Sequence, residues 1–164
     1  MAILRRGSVE PTEAVSGYPG PYNLGRGFLS YELLSKAGGL TQFVAAYETL
    51  QPGKQSSQMH WHSDEDEFIF VLEGELTVVE DGEETAIGPG DACAWKAGEQ
   101  VAHCLRNHSD APVRYLIVGT PSDGSDTCSY PGIDLKHSKG RFEHLDGRPW
   151  EENDRPAPVG ETND

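Results

Sequence analysis

The stretch His60-Trp61-His62-Ser63-Asp64-Glu65-Asp66-Glu67-Phe68-Ile69-Phe70-Val71-Leu72-Glu73-Gly74 decides how this chain is read. On a β-strand, residues two apart point to the same face, so both imidazoles project together and Trp61 points away. Glu67 follows a four-residue acidic turn and opens an apolar run. If that run pairs with the histidine strand, its carboxylate reaches the same interior. His103 heads the later segment His103-Cys104-Leu105-Arg106-Asn107, beyond the Gly98 turn. Three imidazoles and one carboxylate make a mixed nitrogen–oxygen site for a divalent metal, and a metal accepting five or six ligands keeps open positions for water or substrate.

Strand-like runs surround this stretch, each closed by a turn signal. They are Gln42–Leu50, Gln58–His62, Phe68–Leu72, Glu75–Glu80, Thr85–Ile87, Ala92–Lys96, Ala102–Asn107 and Val113–Thr120. Asp81-Gly82 is a strong hairpin turn between two of them. Short strands at this spacing predict an all-β sandwich or barrel. Leu29–Ala37, closed by Gly38-Gly39, is the one segment that reads as a short helix. Residues 1–27, rich in Gly, Pro and Tyr, read as an N-terminal arm lying on the barrel. A barrel over 28–121 follows, with its core at 40–120. Residues 122–150 read as an extension packed on the barrel that has lost strand periodicity. Residues 151–164, acidic and proline-bearing, are expected to be disordered.

Composition narrows the function. The 164 residues carry a formal charge of −14, with 19 glycines and 11 prolines. No Lys or Arg falls between Lys54 and Lys96, a stretch that holds 11 acids, most of them at predicted turns. Such a chain is not built to grip a polyanion, so nucleic acid is excluded as a default partner. No apolar run approaches the roughly 18 residues of a membrane span. The apolar part of Met1-Ala2-Ile3-Leu4-Arg5-Arg6 is too short for a signal peptide, so a cytoplasmic location is expected. Cys93, Cys104 and Cys128 are odd in number and form no C-x-x-C pair, which argues against a disulfide framework or a cysteine-only zinc site.

The two histidine segments resemble the motifs of the cupin superfamily. Its first motif reads G-x5-H-x-H-x3–4-E-x6-G, and Gly53, His60, His62, Glu67 and Gly74 match it with one extra residue in the first gap. The second, G-x5-P-x-G-x2-H-x3-N, is matched by Gly90, Lys96, Gly98, His103 and Asn107, with Lys for Pro and a loop two residues longer before the histidine. Both departures lie in turns, and all four metal-ligand positions keep their residue type. Gly39–Phe43, His60–Glu75, Trp95–Gly98, Tyr130–Leu135 and Asp146-Gly147 further resemble one group of single-domain bacterial cupins. That group is often labelled sugar-phosphate (mannose-6-phosphate-like) isomerase, and the likeness runs from about residue 17 to 150. The resemblance implies a jelly-roll β-barrel, or double-stranded β-helix, with an N-terminal arm and an irregular C-terminal tail. It implies one divalent metal per chain (Fe, Mn, Ni, Co, Cu or Zn) on His60, His62, Glu67 and His103. It also makes a homodimer the expected assembly, and a fold alone does not fix a reaction.

Alternation places Gln58, Ile69, Val71 and Leu105 beside the ligands, an apolar wall suited to a small organic substrate. Gln58 is the first candidate for substrate contact, and Tyr47 the second if its strand lines the barrel; ordinary packing is the competing reading for both. Glu65 and Asp66 compete with Glu67 for the acid position but sit in the turn. Lys96 and Arg106 are candidate phosphate contacts, against a plain solvated role. Cys104 should point outward as a small hydrophobe, with a thiolate ligand or thioether crosslink as the alternatives. His108, His137 and His144 fit no spacing and default to the surface. Trp61 is expected to pack on the arm or on a second subunit. The expected activity is metal-dependent isomerisation, epimerisation or lyase chemistry on a sugar-like or carbonyl compound. The alternatives are an iron-dependent dioxygenase and a non-catalytic small-molecule binding or sensing module.

Overall fold

A computed structural model of the chain describes residues 2–121 and 124–151. Each of the eight expected strands forms, within a few residues of its expected limits. They are β3 (Val44–Leu50), β4 (Trp61–His62), β5 (Glu67–Glu73), β6 (Leu76–Glu80), β7 (Glu83–Ile87), β8 (Ala92–Trp95), β9 (His103–Arg106) and β10 (Val113–Gly119). Asp81 and Gly82 both take positive φ (47° and 88°), as the two-residue turn joining β6 to β7 requires. A six-stranded sheet runs β1-β2-β3-β10-β5-β8, and a three-stranded sheet runs β7-β6-β9. Leu50, Ile69, Val71, Leu76, Val78, Leu105 and Val113 are buried in one core drawn from both. Among the described residues, no helix is long and apolar enough to cross a membrane.

Three expectations need correction. Leu29–Ala37 is not a helix: β2 (Arg26–Leu33) runs through it, and helix α1 covers only Leu34–Gly38. Phe28, Leu29, Leu33 and Leu34 carry a spacing that suits one face of a helix. Pairing with β3 (Leu29↔Leu50 through Leu33↔Ala46) overrides that local signal and closes a sheet edge. The N-terminal segment is not simply an arm laid on the barrel, because β1 (Thr12–Val15) extends the six-stranded sheet beyond β2. The C-terminal extension is not irregular either. It contributes β11 (Thr127–Ser129), β12 (Lys136–Ser138) and β13 (Arg141–Glu143), which form a four-stranded sheet with β4 in the order β13-β12-β11-β4. A second apolar cluster of Cys128, Tyr130 and Leu135, with Tyr18, Tyr22, Phe142 and Trp150 against it, fastens this sheet to the N-terminal segment. The expected disordered tail falls, apart from Glu151, outside the described residues.

Gly74 ends β5 with φ 85°, and a Cβ there would lie 3.1–3.2 Å from Val113 Cγ2, Val113 Cα and the Pro112 carbonyl. Gly74→Ala is therefore strained in backbone and packing together. It should cost about 2 kcal/mol or more in denaturant unfolding. An unchanged midpoint would show that the turn relaxes at no cost.

Candidate metal centre

His60 and His103 face each other across an antiparallel bridge, exchanging both backbone bonds (His60 N to His103 O 3.1 Å, His103 N to His60 O 2.9 Å). Directly opposed residues on such a ladder present their side chains to one face. His62 follows two residues later on β4, which puts the ring centroids of His60 at 4.9 Å from His62 and 4.8 Å from His103. Glu67, the first residue of β5, sends Oε1 to 3.6 Å from His103 Nε2. One ligand atom from each of His60, Glu67 and His103 lies within 4.8 Å of the others. His62 belongs to a neighbouring group with the same limit, made with His60 and Cys128.

The histidines share a pattern of support. His60 Nδ1 lies 2.9 Å from the Gln58 carbonyl, His103 Nδ1 lies 3.3 Å from the Val101 carbonyl, and His62 Nδ1 lies 2.8 Å from Asp126 Oδ2. Carbonyl and carboxylate oxygens only accept, so each ring donates from Nδ1, which in the neutral imidazole leaves the lone pair on Nε2. This is the support that metal-ligating histidines receive. His103 makes the case most directly: it is 2% exposed, and its Nε2 has no hydrogen-bond partner. A buried polar atom left unpaired is costly, and a cation at the centre of these groups would satisfy it. Trp95 stacks on His103 at 3.8 Å and 8° and donates Nε1–H to Glu80 Oε1 at 2.8 Å, which fixes the imidazole's plane. These residues could hold a divalent metal.

Electrostatics agree with that reading. Burial, aided by the neighbouring imidazoles, lowers His60 to about 4, so it stays neutral and able to bind a cation. Burial works to raise the Glu67 carboxyl. Hydrogen bonding and charge from His103, His60 and His62 in their protonated forms outweigh it and hold the group below the ordinary carboxylate range, a role a divalent ion would take over with the rings neutral.

Two cavities flank the centre. One of about 330 Å³ is bounded by Tyr18, His60, His62, Glu65, Asp126, Cys128, Tyr130 and His137. The other, about 470 Å³, meets Glu67 and Trp95 from the far side and is rimmed by Phe43, Phe68, Lys96 and Glu99.

Several expected site residues lie elsewhere. Gln58 is turned to the N-terminal segment, where its amide donates to the Tyr22 carbonyl at 2.8 Å. Tyr47 is on the outer face of β3 beneath the Arg114 guanidinium, 4.5 Å from its ring centroid. The inward position is Glu48, whose Oε2 accepts the Tyr115 hydroxyl at 2.7 Å. Glu65 stands 3.3 Å from His62 Nδ1, while Asp66 accepts the Ala97 N–H at 2.8 Å. Lys96 rims the larger cavity, and Arg106 pairs with Glu84 at 2.8 Å. Cys104 is buried opposite Val79 as a small apolar residue. His108 is exposed beside Glu84, and His137 lines the smaller cavity. His144 is not a surface residue: it is 7% exposed, stacked on Trp150 and bonded to Asp134 Oδ2 at 2.7 Å. Trp61 sits opposite Ser129 of the C-terminal extension.

Glu48 is a polar group that sequence reasoning overlooked. Burial pushes its carboxyl up to about 7, with Glu67 adding to the rise and the Tyr115 bond opposing it. The unfolded chain loses this proton in the ordinary carboxylate range, whereas the fold holds it until about 7. Stability therefore falls as pH rises between those values and stays reduced above them. Glu48→Gln should raise the melting temperature by several degrees at pH 8, with the gain shrinking toward pH 5. Equal melting temperatures at pH 8 would mean that Glu48 is ionised and well solvated in the fold.

The comparisons with known proteins agree with this geometry. The Cupin domain family matches residues 46–119, which contain all four histidine and glutamate positions. A sugar phosphate isomerase of the cupin superfamily from Silicibacter pomeroyi is 35% identical, covering 94% of this chain and 100% of its own, with a TM-score of 0.83. A provisionally named sugar phosphate isomerase from Acidithiobacillus ferrooxidans is 27% identical over 72% of this chain and 76% of its own, with a TM-score of 0.65. A Thermotoga maritima protein predicted to be an oxalate decarboxylase is 21% identical over 74% of this chain and 100% of its own (TM-score 0.58), and shows the fold alone. No curated protein matches. The match over the barrel, the full-length likeness to a cupin at 35% identity and the paired sheets around His60, His62, Glu67 and His103 lead to one conclusion: the chain belongs to the cupin superfamily.

Proposed function

We propose that this cupin is a metal-dependent enzyme acting on a small, uncharged sugar-like or carbonyl compound, with His60, His62, Glu67 and His103 as the ligands. The observation that carries the reading is the unpartnered, buried Nε2 of His103 beside two more imidazoles whose Nδ1 atoms are already engaged. A divalent metal there would act as a Lewis acid, polarising a carbonyl or hydroxyl oxygen of the substrate.

The chain's own groups complete the site. Burial pushes the Tyr18 hydroxyl up to about 12 and drives Tyr130 higher still, so both stay protonated and able to donate to a bound substrate. Glu65 opens on the same cavity; among the described residues no backbone N–H donates to it, unlike Asp126, which accepts Asp64 N–H at 3.0 Å. It is placed to take or return a proton. Of the described residues lining that cavity, none is Lys or Arg, while Glu65 and Asp126 are both acidic. A phosphate ester entering there would meet two carboxylates and no Lys or Arg to grip its phosphate, the metal being taken up by the reacting oxygens. This supports an unphosphorylated substrate even though two of the similar proteins are named for sugar phosphates.

Elemental analysis of protein prepared without chelator tests the metal. Turnover of ketose and aldose sugars, set against their phosphate esters, tests the substrate class. Turnover of the esters alone would overturn the uncharged substrate, and a protein that takes up no divalent ion would overturn the enzyme reading.

A further inference from the structure

Resting on the metal centre proposed above, we infer that Cys128 of the C-terminal extension supplies a thiolate ligand to it. The cupin motifs contain no such residue, and the cysteine reaches the site only because β11 pairs with β4. In that pairing Cys128 is the direct partner of His62, so its side chain shares a face with the imidazole. The Sγ atom and one ring nitrogen each of His60 and His62 lie within 4.8 Å of one another. On the other side of His60, the unpartnered Nε2 of His103 points to a cation as the missing occupant.

Charge and softness both favour the assignment. Three neutral imidazoles and the Glu67 carboxylate leave a divalent ion with one uncompensated positive charge, in a place where His103 is 2% and Cys128 4% exposed. Burying net charge is costly, and a thiolate brings the centre to neutrality. As the sulfur–metal bond forms, the thiol proton leaves to solvent and no electron changes hands. Tyr18 and Tyr130 pack edge to face at 5.6 Å and line the same cavity as Cys128, two phenols beside the sulfur. A sulfur donor tilts the site toward zinc, cobalt or copper and away from magnesium or manganese. The competing role for Cys128 is a small buried hydrophobe beside Tyr130 and Leu135.

The two roles separate spectroscopically in the full chain. Loaded with cobalt(II) alone, the wild type should show a near-ultraviolet thiolate-to-cobalt charge-transfer band at about one ion per chain. The zinc-loaded protein should show a sulfur neighbour at about 2.3 Å by X-ray absorption. A Cys93→Ser/Cys104→Ser double variant should keep the band, and Cys128→Ser should lose it. Cobalt bound with no such band, and zinc with no sulfur neighbour, would overturn the thiolate ligand and leave the metal centre standing. A band lost in the double variant and kept in Cys128→Ser would also overturn it. No cobalt bound by the wild type would overturn both readings.

Discussion

With His60 changed to alanine, purified protein should carry almost no divalent metal, against about one ion per chain in the wild type. His60 stands between the other two rings, 4.9 Å from His62 and 4.8 Å from His103, so its loss opens the middle of the ligand set. Removing an outer-shell partner of a metal ligand typically lowers affinity about 10–100-fold, and removing a ligand should exceed that range. The barrel should survive, because the His60–His103 bridge uses backbone atoms that alanine also has. Metal binding to the native state also raises stability by mass action, so added zinc should lift the wild-type melting temperature and leave His60→Ala unmoved. A variant that keeps its metal, or melts with the same zinc response, would show that these residues do not form one centre.

The site was half legible in the sequence for a physical reason. Period-2 alternation fixes His60 against His62 within a single strand. Glu67 arrives by another route: its run does not pair with the histidine strand as expected but with β10 and β8. The strand boundaries were equally plain because Gly and Asp mark the turns. Parity of β3 was not readable: Val44-Ala45-Ala46-Tyr47-Glu48-Thr49-Leu50 offers apolar residues to both faces. Pairing with β2 on one side and β10 on the other sets which face turns inward. The outcome reverses hydrophobic expectation, with Tyr47 under Arg114 outside and Glu48 bonded to Tyr115 within. Asp126 and Cys128 were invisible for a different reason. Thr127-Cys128-Ser129 is too short to show periodicity, and nothing local announces that it pairs with a two-residue strand more than sixty positions earlier. Leu29–Ala37 failed in the opposite way, carrying a helical pattern that a neighbouring strand overrode.

Asp126 carries the second large expectation: Asp126→Asn should weaken zinc or cobalt binding about 10–100-fold, measured by competition with a chelator. The carboxylate does two jobs at once. Oδ2 accepts His62 Nδ1 at 2.8 Å, while Oδ1 accepts the Asp64 N–H at 3.0 Å and the Ser63 hydroxyl at 3.3 Å. Burial works to raise its carboxyl, but these bonds, led by His62, hold it below the ordinary Asp range, so it is ionised at neutral pH. Asparagine keeps one acceptor for the Asp64 N–H and the Ser63 hydroxyl, which preserves the turn. Its NH₂ then faces His62 Nδ1 and donates, so the neutral ring must move its hydrogen to Nε2, the atom that would face the metal. Affinity should therefore fall while the fold persists, a separation that Asp126→Ala would blur by leaving the Asp64 N–H unpaired. Because the folded carboxyl titrates below its unfolded value, the stability it confers is present above the ordinary Asp range and fades as pH drops through it. Unchanged metal affinity in a folded Asp126→Asn protein would mean that the C-terminal extension only covers the centre and takes no part in orienting His62.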